Sequence, residues 1–450
     1  MRAAFHTFGC KLNQFETEAL ASAFVAQGFT LVPPEQEAEL YLVNTCTVTT
    51  RSEQKARRYL RRLSRVRPEA LLLVTGCYAQ LAREALRALG PNLVVVSQEA
   101  KAALLELPRI LREREAAQPG SWREQALSRL SASPARPGRQ FQFQVTHFQF
   151  HSRAFIKIQD GCDGRCAYCR VPLARGRSVS LDPALAVERA RALEASGYRE
   201  LVLTGVNISS YRHGETGLAE LLERLLASTT QVRLRLSSLE PEAIEPGLAR
   251  VLAHPRLCPH FHLSVQSGSD RVLLRMRRRY RSAQVERAVS ELRRAKPEPF
   301  LAADLIAGYP GESEADFQAT YALAERLGFA KLHVFPFSPR PGTAAQSMRE
   351  RVPERIRDAR VQALVALSER LGESYRRSWE GREVQVVLED RRLPGREGQA
   401  WEGVSENYLK VLVYGIPAAL AAPGRLFRAR IEGPEDPCSA RYLAGERESP

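Results

Sequence analysis

Short apolar runs alternate with longer amphipathic stretches along the first 110 residues. Arg2–Thr7 predicts a strand, and Gln14–Gln27 a helix with Ala19, Leu20, Ala23 and Phe24 on one face. Leu40–Val43, Leu71–Thr75 and Leu93–Val96 predict further strands, separated by a basic helix over Arg51–Arg67 and a helix near Gln80–Leu89. Strands alternating with helices imply a parallel sheet with right-handed crossovers. Pro, Gly, Gln, Ser and charge then dominate, so 113–145 reads as a linker. At its end Phe141, Phe143 and Val145 alternate with polar residues, as an edge or connecting strand would.

A second series begins at Ala154. Phe155–Ile158, Leu201–Thr204, Val232–Ser237, Phe261–Val265, Leu301–Ile306 and Leu332–Phe337 are its strands, with helical patterns such as Ala184–Ala195 and Ser313–Leu327 between them. Six such units are too few for an eight-fold barrel, so an open partial barrel is expected. Val352–Ser378 reads as one long basic helix. Beyond Gly381, the runs Glu383–Leu388, Ala400–Glu402, Tyr408–Tyr414 and Leu426–Glu432 predict a small all-β barrel of the oligonucleotide-binding kind. The fold class is therefore α/β with a small all-β end, and the expected domains are 1–112, 146–375 and 376–445.

Composition narrows the setting. The chain has 450 residues, 44% apolar and 26% charged, which excludes collagen-like and wholly disordered classes. It has no run of eighteen apolar residues, and Met1–Thr7 lacks the pattern of a signal peptide. A cytosolic protein without a membrane partner is expected. The net charge of +15 favours a polyanionic partner, above all nucleic acid. Only seven of the 66 basic residues are Lys; a GC-rich genome produces that bias unaided, so the sign of the charge says more than the choice of cation.

Eight cysteines in a reducing compartment point to ligation or catalysis rather than a disulfide framework. Cys162, Cys166 and Cys169 form a C-x3-C-x2-C loop just after the first strand of the second series, at the end where parallel βα folds build active sites. Three thiolates within eight residues can wrap one face of a [4Fe-4S] cubane and leave one iron open. Structural zinc and unligated core cysteines are the competing readings. Cys10, Cys46 and Cys77 are far apart in sequence. Each follows a predicted strand and precedes a helix, so a parallel sheet would bring them to one edge. Gly9 and Gly76 allow tight turns there. Three buried structural cysteines are the alternative.

The C-x3-C-x2-C spacing, with Tyr168 before the last Cys and βα units around it, resembles the radical S-adenosylmethionine enzymes. That resemblance implies a cluster on Cys162, Cys166 and Cys169 whose open iron chelates S-adenosylmethionine, for one-electron cleavage to a 5′-deoxyadenosyl radical. Together the six cysteines resemble the methylthiotransferases, two-cluster radical enzymes, over nearly the whole chain. The motifs run in order through Ile156–Cys162, Leu203-Thr204-Gly205-Val206-Asn207, Arg235–Pro241, Leu263–Asp270, Asp304–Glu312 and Phe335–Thr343. Gly9-Cys10-Lys11-Leu12-Asn13-Gln14, Asn44–Thr49 and Gly76–Gln80 look like the MtaB branch, whose members act on threonylcarbamoyladenosine at tRNA position 37; the isopentenyladenosine and ribosomal-protein branches normally read differently after the first Cys. Arg281 stands where a Thr is common.

The resemblance implies two [4Fe-4S] clusters, on Cys162/Cys166/Cys169 and on Cys10/Cys46/Cys77, and two uses of S-adenosylmethionine, for the radical and for the methyl group. It implies as partners the tRNA anticodon stem-loop, an electron donor and a sulfur source. Gly205 lies in Leu203–Asn207, which looks like the family's element facing the methionyl amine. Ser237, Glu240, Gln266 and Asp304 lie on or just past strand ends, where they either line the S-adenosylmethionine pocket or hydrogen-bond their own loops.

Two basic clusters, Arg51–Arg67 and Arg271–Arg281, suit phosphates or a solvated face equally. Trp401, Tyr408 and Lys410 are candidate RNA contacts, with Trp401 as readily core. Cys258 and Cys438 read as structural. A non-enzymatic RNA-binding iron–sulfur sensor competes with the enzyme, but a sensor has no need of a six-unit radical pocket.

Overall fold

The computed structural model describes residues 1–117, 139–395 and 398–444. Most of the expected linker, 118–138, lies outside the described residues.

Strands Leu40–Thr45 and Leu71–Gly76 are buried at every position, as the inner strands of a parallel sheet covered on both faces must be. The sheet runs Thr30–Val32, Arg2–Thr7, Leu40–Thr45, Leu71–Gly76, Leu93–Val95, with all pairings parallel. Strand order reverses between Arg2–Thr7 and Leu40–Thr45. The loops leaving those two strands therefore diverge to opposite faces and leave a crevice at the carboxyl edge. Two helices differ from expectation there. The first begins at Lys11, three residues early, because extended Cys10 caps it and its carbonyl accepts from Gln14 N at 3.1 Å. The third breaks into Cys77–Leu81 and Arg83–Arg87, so that Cys77 itself opens a helix.

Strands Ala154–Lys157, Glu200–Thr204 and Arg233–Leu236 form one parallel set, and His260–Gln266, Phe300–Ala307 and Lys331–Pro336 another. Parallel bridges Leu234–Leu257 and Leu239–Leu263 join the sets into a six-strand open arc, as expected from the count of units. Period-two alternation sorts its side chains. Ile156, Leu203, Leu234, Leu263 and Leu305 pack outward in one core with helix residues such as Leu221 and Leu292. Of the concave face, Phe155 and Val202 join the core of the N-terminal sheet instead.

The alternation at Phe141–Val145 does not make a strand. A single 3-10 turn, Arg139–Phe141, is followed by chain without a ladder partner. Phe143 and Val145 are nevertheless buried in the N-terminal core. Alternation reports burial on one side, and a strand needs in addition an edge to bond to.

After the helix Glu354–Arg377, five strands close into a barrel in the order Glu383–Gly395, Gly398–Ser405, Lys410–Tyr414, Cys438–Tyr442, Leu426–Gly433. Of these, Cys438–Tyr442 has no counterpart among the expected strands: Cys438, Ala440 and Tyr442 do alternate with Ser439 and Arg441, but over only five residues directly after Pro437. Among the described residues no helix is long and apolar enough to cross a membrane.

Candidate functional site: two cysteine trios at one seam

Cys10, Cys46 and Cys77 all leave the carboxyl edge of the N-terminal sheet, Cys10 and Cys46 on either side of the point where strand order reverses. The turns are so close that a Cβ on Gly9 would lie 2.6 Å from Cys46 Cβ and 2.9 Å from its Sγ. Gly9 has φ +111°, a conformation that L side chains rarely adopt, so both geometry and space require glycine there. Cys10 is exposed, whereas Cys46 and Cys77 are buried. Burial, together with the neighbouring Cys10, pushes the Cys46 thiol up to about 12. Burial also raises the Cys77 thiol, against the pull of Arg175, whose Nε donates to its Sγ at 3.1 Å.

Cys162, Cys166 and Cys169 ride the loop at the carboxyl rim of the arc. Gly164 N donates to Cys162 Sγ at 3.2 Å, Val171 N to Cys169 Sγ at 3.4 Å and Arg278 Nη1 to Cys166 Sγ at 3.2 Å. A Cβ on Gly164 would lie 3.1 Å from Cys162 Sγ and 3.8 Å from Cys166 Sγ, so this glycine sits between two sulfurs. Burial pushes the Cys169 thiol up to about 12. Backbone bonds from Ala167 N to Met276 O (3.0 Å) and from Ala345 N to Ala167 O (2.8 Å) pin the loop to two other rim segments. Among the described residues no three His, Cys, Asp or Glu side chains stand close enough together to clasp a single ion. What the two trios offer is soft sulfur donors with N–H groups aimed at the sulfurs, a donor set suited to the thiolates of an iron–sulfur cluster.

The two rims face each other. Arg170, next to Cys169, donates to Thr47 Oγ1 (3.3 Å) and Glu53 Oε1 (3.1 Å), one and seven residues after Cys46. Arg340 binds the same Thr47 and Glu53, and Thr50 Oγ1 lies 2.6 Å from Ser338 Oγ. Arg175, six residues past Cys169, reaches across to Cys77, Asn13 and Glu16 while holding Asp160. Glu16 is fully buried and also meets Lys101 and Lys157. Burial alone would raise the Glu16 carboxyl, but Arg175, Lys101 and Lys157 outweigh it and hold it well below the usual carboxylate range.

Gly205, Ser237, Glu240 and Gln266 lie on the rim that carries the cysteine loop. Glu240 accepts from Arg278, so it is linked to Cys166 through one guanidinium. A Cβ on Gly205 would lie 2.9 Å from Gln159 O, which accounts for glycine there by packing. Asp304 lies deeper in the arc, its carboxylate bonded to His262 Nε2 at 2.9 Å.

Two expectations are corrected. Arg278, read as part of a cluster facing either phosphates or solvent, is turned inward, its side chain 7% exposed and shared between Cys166 and Glu240. Tyr408, read as an RNA-stacking residue, is stacked on His260 with ring centroids 4.0 Å apart. The left-handed turn at Tyr408 (φ +67°) folds that side chain back onto the arc. Trp401 is core, and Cys258 and Cys438 are buried. The helix Thr50–Val66 behaves as read, burying Ala56, Leu60 and Leu63 and exposing Arg51, Lys55, Arg58, Arg61, Arg62 and Arg65. Sequence reasoning missed Glu16, Lys101, Lys157, Asp160 and Arg175. Glu16 was signalled by a charge beside Phe15 on a face that Ala19 and Leu20 mark as buried, and Lys157 by a charge inside the apolar run Phe155–Ile158; Lys101, Asp160 and Arg175 carried no such mark.

Known proteins resemble this chain over most of its length. Residues 2–97 match the uncharacterized protein family UPF0004, and residues 156–324 match the radical SAM superfamily. A threonylcarbamoyladenosine tRNA methylthiotransferase MtaB from Treponema pallidum is 40% identical, covering 94% of this chain and 97% of that protein. Its counterpart from Bacillus subtilis is 35% identical over 92% and 90%. A tRNA-2-methylthio-N(6)-dimethylallyladenosine synthase from Nitratidesulfovibrio vulgaris is also 35% identical, over 94% of each chain. Among solved structures, the radical S-adenosylmethionine methyltransferase TsrM from Kitasatospora setae superimposes with a TM-score of 0.54 at 15% identity, over 74% of this chain and 72% of that one. That likeness concerns the fold alone.

Proposed function

This chain belongs to the radical SAM methylthiotransferase family, and we propose that within it the protein converts threonylcarbamoyladenosine at tRNA position 37 to its 2-methylthio derivative. Membership makes it an enzyme and implies a [4Fe-4S] cluster with S-adenosylmethionine. The choice of base is supported by relatives named for that activity at 40% and 35% identity. The relative named for dimethylallyladenosine, at 35%, keeps that base as the second reading. The observation that carries the mechanism is the meeting of two thiol trios across one seam, bridged by Arg170 and Arg175.

In this reading Cys162, Cys166 and Cys169 hold one cluster, and Cys10, Cys46 and Cys77 hold a second. When bound, these clusters supply one-electron cleavage of S-adenosylmethionine on one side and an iron site for sulfur on the other. The chain's own residues do the rest. Gly164 N, Val171 N and Arg278 point N–H groups at the first trio and Val48 N and Arg175 at the second, which offsets part of the burial that raises these thiols. Arg170, Arg340, Thr47 and Glu53 lock the two rims in one register, holding a base between them without a search. Gly205, Ser237, Glu240, Gln266 and Asp304 are the candidates for binding S-adenosylmethionine. The exposed arginines of Thr50–Val66 meet backbone phosphates of the anticodon stem-loop, while an electron donor and a sulfur source complete the reaction. The functional units are 1–112, 146–375 and 376–445.

Two measurements test this. Anaerobically purified protein should hold about eight irons per chain, falling to about four when either trio is replaced by alanine. Mass spectrometry of tRNA nucleosides should show 2-methylthio-threonylcarbamoyladenosine vanishing on deletion and returning with the wild-type chain. Loss of the methylthio group from isopentenyladenosine instead would replace the first reading with the second.

A further inference from the structure

A cavity of about 480 Å³ lies between the concave face of the arc and the C-terminal barrel. Lys11, His260, His262, His333, Tyr408 and Lys410 line it, so all three folded units contribute. Two of its polar groups, Lys11 Nζ and His260 Nδ1, keep unmet capacity. Lys11 Nζ sits 5.3 Å from the Tyr408 ring centroid, and no carboxylate is paired with it among the described residues. Glu200, the buried acid of this region, is already held by Arg235 (2.6 and 2.9 Å), Arg233 (2.7 Å) and Arg153 (3.4 Å), leaving no capacity for a fourth cation. His260 is 3% exposed, and its Nδ1 has no hydrogen-bond partner. A buried polar atom without a partner is costly unless something arrives to meet it. His262 differs, since Ser238 Oγ (3.1 Å) and Asp304 (2.9 Å) occupy both its ring nitrogens. It shapes the wall rather than offering a bond.

Lys331, Arg376, Glu369 and Asp436 also line the pocket, with Arg376 facing Asp436 at 4.0 Å; the recessed, ring-walled cation is Lys11, which follows Cys10 directly. A backbone phosphate would be met on the exposed arginine helix. A recessed cation walled by His260, Phe300 and Tyr408 fits instead a small carboxylate carried on the base itself. We propose that this cavity receives the threonyl arm of the substrate base, with Lys11 binding its carboxylate and His260 Nδ1 a polar atom of the same arm. The inference rests on threonylcarbamoyladenosine being the substrate, and it deepens that reading by naming what selects it.

The test uses the reconstituted full-length enzyme and three synthetic anticodon stem-loops, with threonylcarbamoyladenosine, its threonine methyl ester or unmodified adenosine at position 37. Wild-type enzyme should bind the acid about tenfold more tightly than the ester, as a charge-assisted bond requires. Lys11→Met should bind both as wild type binds the ester, and Lys11→Arg should restore part of the preference. The acid–ester comparison on the wild-type enzyme needs no variant and therefore survives a variant that fails to fold. Equal binding of acid and ester by an enzyme that still methylthiolates the acid would overturn the subsite and leave the substrate reading standing. Equal weakening of all three RNAs by Lys11→Met would make Lys11 a phosphate contact and also overturn it. No methylthiolation of the acid by wild-type enzyme, with turnover of an isopentenyladenosine stem-loop instead, would remove the substrate reading itself.

Discussion

Arg175 shows how much one residue settles. Its guanidinium bonds Glu16, Asp160, Asn13 and Cys77 while almost wholly buried, and it reaches from the radical loop into the N-terminal sheet. Removing one partner of a buried ion pair leaves the other charge uncompensated. Arg175→Met should therefore lower unfolding stability by about 3 kcal/mol in chemical denaturation. Arg175→Lys should recover only part of that, since one ammonium cannot serve four acceptors in a plane. An unchanged midpoint for the Met variant would mean that the network is dispensable. Nothing in the residues flanking position 175 distinguishes this arginine from the many others in the chain. Cys162, Cys166 and Cys169, just before it, were legible because spacing alone carries their chemistry; a guanidinium acquires its role from what surrounds it.

At the level of elements, the edges of strands do most of the positioning. The amino-terminal end of Glu200–Thr204 holds Glu200 against Arg233 and Arg235, whose guanidinium groups also bond the carbonyls of Gln385, Val404, Ser405 and Glu406 in the C-terminal barrel. One carboxylate thus orients two arginines that dock a whole domain. Burial would raise the Glu200 carboxyl, but Arg235 and Arg233 outweigh it, and its folded-state value lies well below 4.5. A depressed carboxyl contributes stability that is present above pH 4.5 and lost as pH falls through the folded-state value. Glu200→Gln should be less stable than wild type at pH 7, with the gap in thermal midpoint narrowing as pH drops below 4.5. A gap constant from pH 7 to pH 3 would contradict this. Most strands were legible from apolar runs, including the arc of six; the three-residue edge strand Thr30–Val32 was not. Illegible at this scale were Phe141–Val145, where alternation came without a partner edge, and Cys438–Tyr442, whose alternation spans only five residues and becomes a strand through its barrel partners.

For the whole molecule, a net charge of +15 becomes a surface only once the folding is known. Arg271 and Arg275 pair with Asp316 and Glu350, and Arg278 turns inward, so much of the second basic cluster is spent on the protein itself. The helix Thr50–Val66 keeps its charge outward, and Arg57 ties it to Tyr78 Oη (2.6 Å), beside Cys77. Arg58→Glu, Arg61→Glu and Arg65→Glu together should weaken anticodon stem-loop binding and flatten the slope of log affinity against log salt by roughly 0.7–0.9 for each phosphate that the helix no longer neutralises. Filter binding across a salt titration measures both. An unchanged slope would move the RNA path away from this helix.

Periodicity and cysteine spacing were enough to predict an α/β chain with a small all-β end, an open six-strand arc and six thiols at strand ends, because these follow from rules acting within a few residues. Which charges lie buried at the seam, which arginines face solvent and which rings enclose Lys11 depended on how the units pack. Those interactions join residues as much as 293 positions apart, such as Arg340 and Thr47, and no local pattern records a partner at that distance.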